Sequence, residues 1–110
     1  MIDETISQIE AKLKDAGSLN EDAKRELAGL LATLKREVTV LSETHADEAQ
    51  SIAGFTQTSA HEAIREEKNP ELLKLSLEGL ATSVDGFEES HPALVQIVNR
   101  ICTTLSNIGI

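Results

Sequence analysis

The sequence predicts an all-α protein, an antiparallel helical bundle or a set of coiled-coil-like hairpins with four to five helices. The chain of 110 residues contains only two prolines and six glycines, too few for a β-fold with many turns. Only 2% of its residues are aromatic, so aliphatic side chains must fill the core, which suits helix-on-helix packing. Apolar residues also recur at alternating spacings of three and four, the period of an amphipathic helix.

Length and charge limit the classes of function. A chain of this size predicts one helical domain over residues 1–110. Ten basic and nineteen acidic residues give a formal charge of −9, which argues against nucleic acids and anionic membranes as partners. Cys102 is the single cysteine, and no segment resembles a signal peptide or a membrane span of about 20 apolar residues. We therefore expect a cytoplasmic protein.

A stripe and a cap predict the first helix and the start of the second. The stripe predicts a helix over 3–16 and consists of Ile2, Ile6, Ile9, Leu13 and Ala16. Gly17 can adopt the left-handed conformation that ends such a helix. Ser18 at the N-cap and Glu21 three residues later match a capping box, in which the two residues satisfy each other's free backbone N–H groups. The second helix is therefore predicted to begin at residue 21.

The end of the second helix is open to two interpretations. No Gly or Pro lies between Gly29 and Gly54, so one helix could run over 21–67. The alternative is a helix over 21–42, because the hydroxyl residues within 42–44 can cap a new helix. We favour the continuous helix.

Segment 43–68 is the weakest in apolar content. Its stripe is thin and consists mostly of small residues: Ala49, Ile52, Phe55 or Thr56, Ala60, Ala63 and Ile64. A stripe of this kind either packs closely against one neighbour or is partly exposed. We expect one of these two arrangements here.

Two prolines mark the starts of the last two helices. Asn69 suits the N-cap and Pro70 the first position of a helix over 70–89. Pro92 suits the first position of a helix over 92–108.

A row of very small residues follows one face of the 70–89 helix. The row consists of Ser76, Gly79, Ser83, Gly86 and Ser90. Each glycine inside a helix costs about 1 kcal/mol relative to alanine. Close approach of a second backbone would offset that cost, and a solvent-exposed face is the alternative.

The last helix is almost uncharged, with Arg100 as its single charged residue. A helix that is apolar around most of its circumference is buried on more than one side, so we expect other helices to surround it. Gly109 is predicted at the left-handed C′ position, with Ile110 closing a Schellman motif. The residues predicted to form the core or an interface on the last two helices are Leu73, Leu77, Leu80, Val84, Phe87, Leu94, Val98, Ile101, Cys102, Leu105 and Ile108.

Three short sequences resemble a known family. They are Phe87-Glu88-Glu89-Ser90-His91-Pro92-Ala93-Leu94, followed by Ile101; Leu105-Ser106-Asn107-Ile108-Gly109-Ile110; and Ser18-Leu19-Asn20-Glu21. The first two resemble the C-terminal part of the domain-of-unknown-function 4404 family of short bacterial proteins, and the third is similar to its N-terminal part. The resemblance implies a helical bacterial protein and implies no activity.

A metal site is the main chemical candidate. Glu88 and His91 have the Glu-x-x-His spacing of di-iron bundles, and His45 with Glu48 could hold an ion at one or two points. A di-iron site needs two such motifs and further glutamates, and structural zinc takes four ligands. A polar cap and adventitious binding are the simpler interpretations. The sequence therefore predicts no metal and no cofactor.

No residue pattern indicates catalysis. Cys102 lies on the most apolar helix, where a cysteine usually packs as a small hydrophobe. The chain has neither a nucleophile elbow nor a glycine-rich phosphate loop. We expect a protein that is not an enzyme.

The heptad-like spacing leads to two hypotheses about function. With so few aromatic residues, one chain is expected to leave its core incomplete and a second copy to complete it, most simply in a two-fold dimer. The main hypothesis is a non-enzymatic helical module that self-associates and offers a groove to a protein partner. The alternative is a metal-binding helical bundle built on Glu88, His91, His45 and Glu48.

Overall fold

A computed structural model describes residues 2–109, apart from the side chain of Asp3. These residues form five helices and no strand: α1 (Ile2–Lys14), α2 (Glu21–Ser42), α3 (Ala46–Ile64), α4 (Pro70–Ser83) and α5 (Pro92–Gly109). The predicted all-α class with four to five helices is confirmed. Within residues 2–109, none of the helices combines the length and the apolar character that a membrane crossing requires.

Helices α1 and α2 form an antiparallel hairpin. Lys24 near the start of α2 donates to the carbonyl of Lys14 at the end of α1, while Lys35 lies 3.4 Å from Glu10 further back along α1. The predicted cap is wrong, because Asn20 and not Ser18 occupies the N-cap of α2. The Asn20 side chain accepts the N–H of Ala23 at 2.8 Å, the usual role of an N-cap side chain.

The connection before α2 also differs from the prediction. α1 ends at Lys14, two residues early, and Gly17 does not have the predicted left-handed conformation. The hydroxyl of Ser18 instead donates to the carbonyl of Ile64 at the end of α3. Ser18 therefore helps to satisfy the last carbonyls of another helix, which a local capping pattern does not reveal.

The predicted continuous helix over 21–67 is wrong, because the chain breaks at residues 43–45. The hydroxyl of Ser42 donates to the carbonyl of Thr39 at 2.6 Å, and that of Thr44 donates to the carbonyl of Leu41 at 3.4 Å. Such hydroxyls offer the backbone an alternative to continued helix. His45 then leaves the helical region with φ of −135°, and α3 begins at the next residue.

The small-residue helix α3 lies at the centre of the molecule. It contacts each of the other four helices, whereas α5 contacts three of them. Its buried residues are mostly small: Ala49, Ile52, Ala53, Thr56, Ser59, Glu62 and Ala63. Small side chains allow neighbouring helix axes to approach closely. The interpretation that this segment packs against a single neighbour is therefore wrong, whereas partial exposure of its stripe holds at Phe55, whose side chain is 40% exposed.

α4 begins as predicted and ends earlier. Asn69 caps it by accepting the N–H of Leu72 at 3.2 Å, and Pro70 occupies the first turn. The helix stops at Ser83 rather than at residue 89, because Gly86 adopts a left-handed φ of 93° that an α-helix cannot contain. A carboxylate oxygen of Glu88 accepts the N–H of Gly86 at 2.8 Å and stabilises this turn.

α5 begins at Pro92, as predicted, but it is not surrounded on all sides. Its outer face exposes uncharged polar residues such as Gln96, Asn99 and Thr103. Gly109 is the last residue of the helix and does not have a left-handed φ, so the predicted C′ role is wrong. A Cβ at Gly109 would overlap the side chain of Leu73 and touch the backbone of Ala63, so close helix packing explains this glycine. The predicted contact of Ile110 lies outside the described residues.

Candidate functional site

The residues predicted to form a core or interface lie mainly inside the single chain. Those buried in its core are Leu73, Leu80, Val84, Leu94, Val98, Ile101 and Leu105. Those half-buried against it are Leu77, Phe87, Cys102 and Ile108. All five helices of one chain contribute to this core. Any binding surface must be sought on the outside of the bundle.

Three rings, those of His45, Phe87 and His91, come together at one end of the bundle. Phe87 and His91 lie in the connection from α4 to α5, and His45 lies in the connection from α2 to α3. The centroid of the Phe87 ring is 5.3 Å from that of His45 and 5.5 Å from that of His91, both edge to face. This geometry is the one that aromatic pairs prefer, so the contacts join the two connections.

The four candidate metal ligands do not assemble into one site. The rings of His45 and His91 are 6.2 Å apart, but the Nδ1 of each lies within hydrogen-bonding distance of the preceding hydroxyl, in Thr44 and Ser90. Glu88 accepts the N–H of Gly86, and Glu48 lines a groove elsewhere. In the described part of the chain, no three His, Cys, Asp or Glu side chains are placed to hold an ion.

Cys102 is half-buried between α5 and α4. Its thiol lies 3.9 Å from the carbonyl oxygen of Leu77 and points its S–H group towards it. Burial raises the pKa of the Cys102 thiol above its ordinary value of 9.0, because desolvation disfavours the thiolate. A nucleophilic cysteine needs the opposite shift. The position therefore suits a packed side chain.

The clearest surface feature lies where α3 and α4 pack together. Three large apolar side chains stay exposed there: Phe55 on α3 at 40%, and Leu72 and Leu75 on α4 at 44% and 61%. Leu72 and Leu75 are three residues apart and share one side of α4. A groove of about 510 Å³ runs beside them and is lined by Glu48, Ser51, Phe55, Leu75, Glu78, Gly79, Thr82 and Ser83. These groove residues and Leu72 together form the α3–α4 face.

Gly79 positions the aromatic ring of this face. A Cβ at Gly79 would overlap the ring atoms of Phe55, so the ring lies directly against the backbone of α4. Ser76, one turn earlier, is buried between the helices. The row of small residues on α4 is therefore not simply a solvent-exposed face, because Ser76 is buried and Gly79 is covered by an aromatic side chain of α3. Gly86 and Ser90 lie in the following turn and take no part in it.

The α3–α4 face belongs to the most acidic part of the chain. Residues 37–64 contain no Lys or Arg, and neither do residues 75–99. Glu48 and Glu78 line the groove itself. No Lys or Arg lines this groove, and Lys74, which follows Leu73 in sequence, lines the groove between α4 and α5 instead. A molecule that enters the α3–α4 groove therefore meets apolar side chains beside two carboxylates.

Two other grooves differ from the α3–α4 face in charge. The groove between α4 and α5 contains Lys74 as well as Glu78, and is otherwise mostly apolar. The groove between α2 and α5 contains Arg25 and Arg100. Neither exposes an aromatic side chain. The α3–α4 face therefore combines exposed apolar bulk with negative charge in a way that these grooves do not.

Sequence patterns identified parts of this face, and partial exposure of the stripe with Phe55 was one of two alternatives, but the exposure of Leu72 and Leu75 was not predicted. Phe55 was one of two alternatives for the thin stripe of segment 43–68, and Gly79 belonged to the small-residue row. Leu72 and Leu75 do not belong to the apolar stripe of α4 that contains the buried Leu73. They lie on the side of this amphipathic helix where polar residues are usual, and this is the signal in the sequence that could have identified them.

Comparison with known proteins places the chain in a family but does not assign a function. No curated protein and no solved structure is significantly similar to it. A family model described as a domain of unknown function (DUF4404) matches residues 29–110. The match includes the whole of α3, α4 and α5 and begins within α2, so it leaves out α1 and the Ser18–Glu21 sequence. Because it covers well over half of the chain, the protein belongs to the domain-of-unknown-function 4404 family.

Proposed function

We propose that this protein is a non-enzymatic helical interaction module that self-associates through its α3–α4 face. The observation that carries the proposal is the exposure of Phe55 and Leu75 in one groove, with Leu72 exposed one turn before Leu75 on α4. Single exposed apolar residues are common on soluble proteins, but a contiguous group of large ones is typical of interaction surfaces.

The proposal moves the interface from α5 to α3 and α4. The stripe of α5 was expected to complete its core with a second copy, but Leu94, Val98 and Ile101 are fully buried within one chain. An interface built on them would require the bundle to open. The exposed side chains of α3 and α4 need no such rearrangement, and most interfaces form with little backbone movement.

A two-fold dimer is the simplest form of this association, because the same face then serves both copies. Leu75 of one copy would enter the groove beside Phe55 of the other. The arrangement also brings Glu48 and Glu78 of both copies together. Like charges repel less when salt screens them, so the dimer should become tighter as ionic strength rises.

Leu75→Gln tests the proposal because it removes apolar bulk from the centre of the face without adding charge. Leu75 is 61% exposed, so the folded chain should tolerate the change. We expect the dimer dissociation constant to rise about tenfold, the size of effect that a large side chain near the centre of an interface can produce. Sedimentation equilibrium across the micromolar range measures it.

Val40→Gln is the matched control. Val40 is 59% exposed on α2, and it lies outside the α3–α4 face. Its replacement should leave the dissociation constant unchanged. A wild-type protein that stays monomeric throughout the range, or a Val40→Gln variant weakened as much as Leu75→Gln, would contradict the proposal.

A further inference from the structure

We infer that the α3–α4 face also binds a cationic amphipathic helix from a partner protein, in competition with self-association. The inference deepens the proposed function, because it rests on the same face being an interaction surface. Three features of the face identify the partner's chemistry: the shape of the groove, the side chains that border it and the sign of its charge.

The shape suits a helix. The groove lies between α3 and α4, has a volume of about 510 Å³ and is open to solvent. Amphipathic helices bind such grooves by placing apolar residues spaced three or four apart onto exposed apolar side chains. Phe55 on one side and Leu75 on the other supply those contacts, and Leu72 extends them by one turn along α4.

The charge selects a basic partner. Glu48 and Glu78 line the groove, and the segments that contain them, 37–64 and 75–99, have no Lys or Arg. The formal charge of the whole chain is −9. A helix with Lys or Arg beside its apolar stripe gains attraction at the rim and approaches faster through the negative field.

A second copy satisfies the apolar side chains of the face but not its charge. Two copies bring glutamates against glutamates, whereas a basic helix brings opposite charges together. Both occupants need Leu75, so they compete. Salt should therefore have opposite effects: it screens repulsion within the dimer and attraction within the complex with the partner.

The probe is a synthetic peptide of leucine and lysine, about 18 residues or five helical turns long, with all leucines on one face. A fluorescent label allows its binding to the intact protein to be measured by anisotropy. A scrambled peptide of the same composition keeps the charge and loses the apolar face. We expect the amphipathic peptide to bind about tenfold more tightly than the scrambled one.

Two variants test the apolar and the charged contributions of the face separately, and each has a matched control on α2. Leu75→Gln should weaken peptide binding about tenfold and Glu78→Gln about threefold. Val40→Gln and Glu26→Gln change the same residue types on α2 and should leave binding unchanged. Because Glu78 is exposed, its variant retains the fold even if that of Leu75 does not.

Increasing the salt concentration from about 0.1 M to about 1 M shortens the screening length from about 10 Å to about 3 Å. We expect this change to weaken peptide binding and to tighten the dimer. Equal binding of the scrambled peptide, or equal weakening by the α2 controls, would overturn the inference. So would an amphipathic peptide that fails to bind a protein that does dimerise. A protein that binds the peptide but never dimerises would support the inference and contradict only self-association.

Discussion

Cys102 shows how the fold sets the chemical environment of a packed residue. Its S–H group points at the carbonyl of Leu77 across the α4–α5 contact, and burial raises the pKa of its thiol. The sequence predicted a packed cysteine from the apolar character of its helix alone. The pKa shift follows from the fold, because desolvation depends on the atoms that surround the sulfur.

The raised pKa of Cys102 predicts a loss of stability at alkaline pH. The folded chain holds the thiol proton more tightly than the unfolded chain, whose thiol has an ordinary pKa of 9.0. The stabilisation that this proton provides is fully present below pH 9.0, the pKa of the unfolded chain, and is lost as the pH rises through the pKa of the folded chain. Urea unfolding at a series of alkaline pH values should show this decline in the wild type.

Cys102→Ala is the control, because it removes the titrating group. Its free energy of unfolding should fall less steeply with pH than that of the wild type, whatever the two values are at neutral pH. The chain contains no tyrosine that would titrate in the same range. Parallel slopes for the two proteins would contradict the assigned burial of the thiol.

Glycines show the limit of prediction at the residue scale. Gly17 and Gly109 follow helical stripes and were expected in the left-handed conformation, yet only Gly86 adopts it in residues 2–109. Gly79 and Gly109 are required instead where a Cβ would collide with another helix. A local sequence cannot separate these two uses of glycine, because the second depends on a neighbour far away in the chain.

At the scale of elements, helix starts were more predictable than helix ends. Asn69 with Pro70, and Pro92, predicted the starts of α4 and α5 because an N-cap and a proline act on adjacent backbone groups. The ends of α2 and α4 depend on hydroxyl-to-carbonyl bonds and on one glycine turn. Continued helix was equally compatible with both sequences, so periodicity alone could not locate these ends.

Helix α5 provides the prediction at this scale. Ile101 is fully buried, so Ile101→Asp should lower the free energy of unfolding by several kcal/mol, because it places an unpaired charge in the core. Since the core belongs to one chain, the variant should lose folding and not merely assembly. Circular dichroism during thermal unfolding measures the effect.

His61→Ala is the corresponding control. His61 is exposed on α3 and its replacement should hardly change thermal stability. If Ile101→Asp unfolded at the wild-type temperature, the burial assigned to α5 would be wrong.

For the whole molecule, the stripes predicted the class of fold but not which helix is central. The apolar content of α5 predicted that other helices surround it, but α3, with its small side chains, is the helix that contacts all four others. Large side chains fill space around a helix, and small ones let several helices surround it. The number of neighbours therefore does not follow from hydrophobicity.

The candidate surface depends on the same arrangement. Phe55, Leu72 and Leu75 stay exposed because α3 and α4 pack against each other and against the remaining helices through other side chains. The charge of the surface, in contrast, was present in the sequence as two segments without Lys or Arg. Only the fold brings the exposed apolar side chains and the acidic segments to the same place.

The central claim is that association uses the α3–α4 face, and amide chemical shifts recorded during dilution test it most directly. Between millimolar and low-micromolar concentrations, we predict shift changes concentrated around Phe55, Leu72 and Leu75, with Arg25 and Arg100 of the α2–α5 groove unaffected. Concentration-dependent shifts confined to the α2–α5 groove, or shifts that do not change with concentration anywhere, would contradict it.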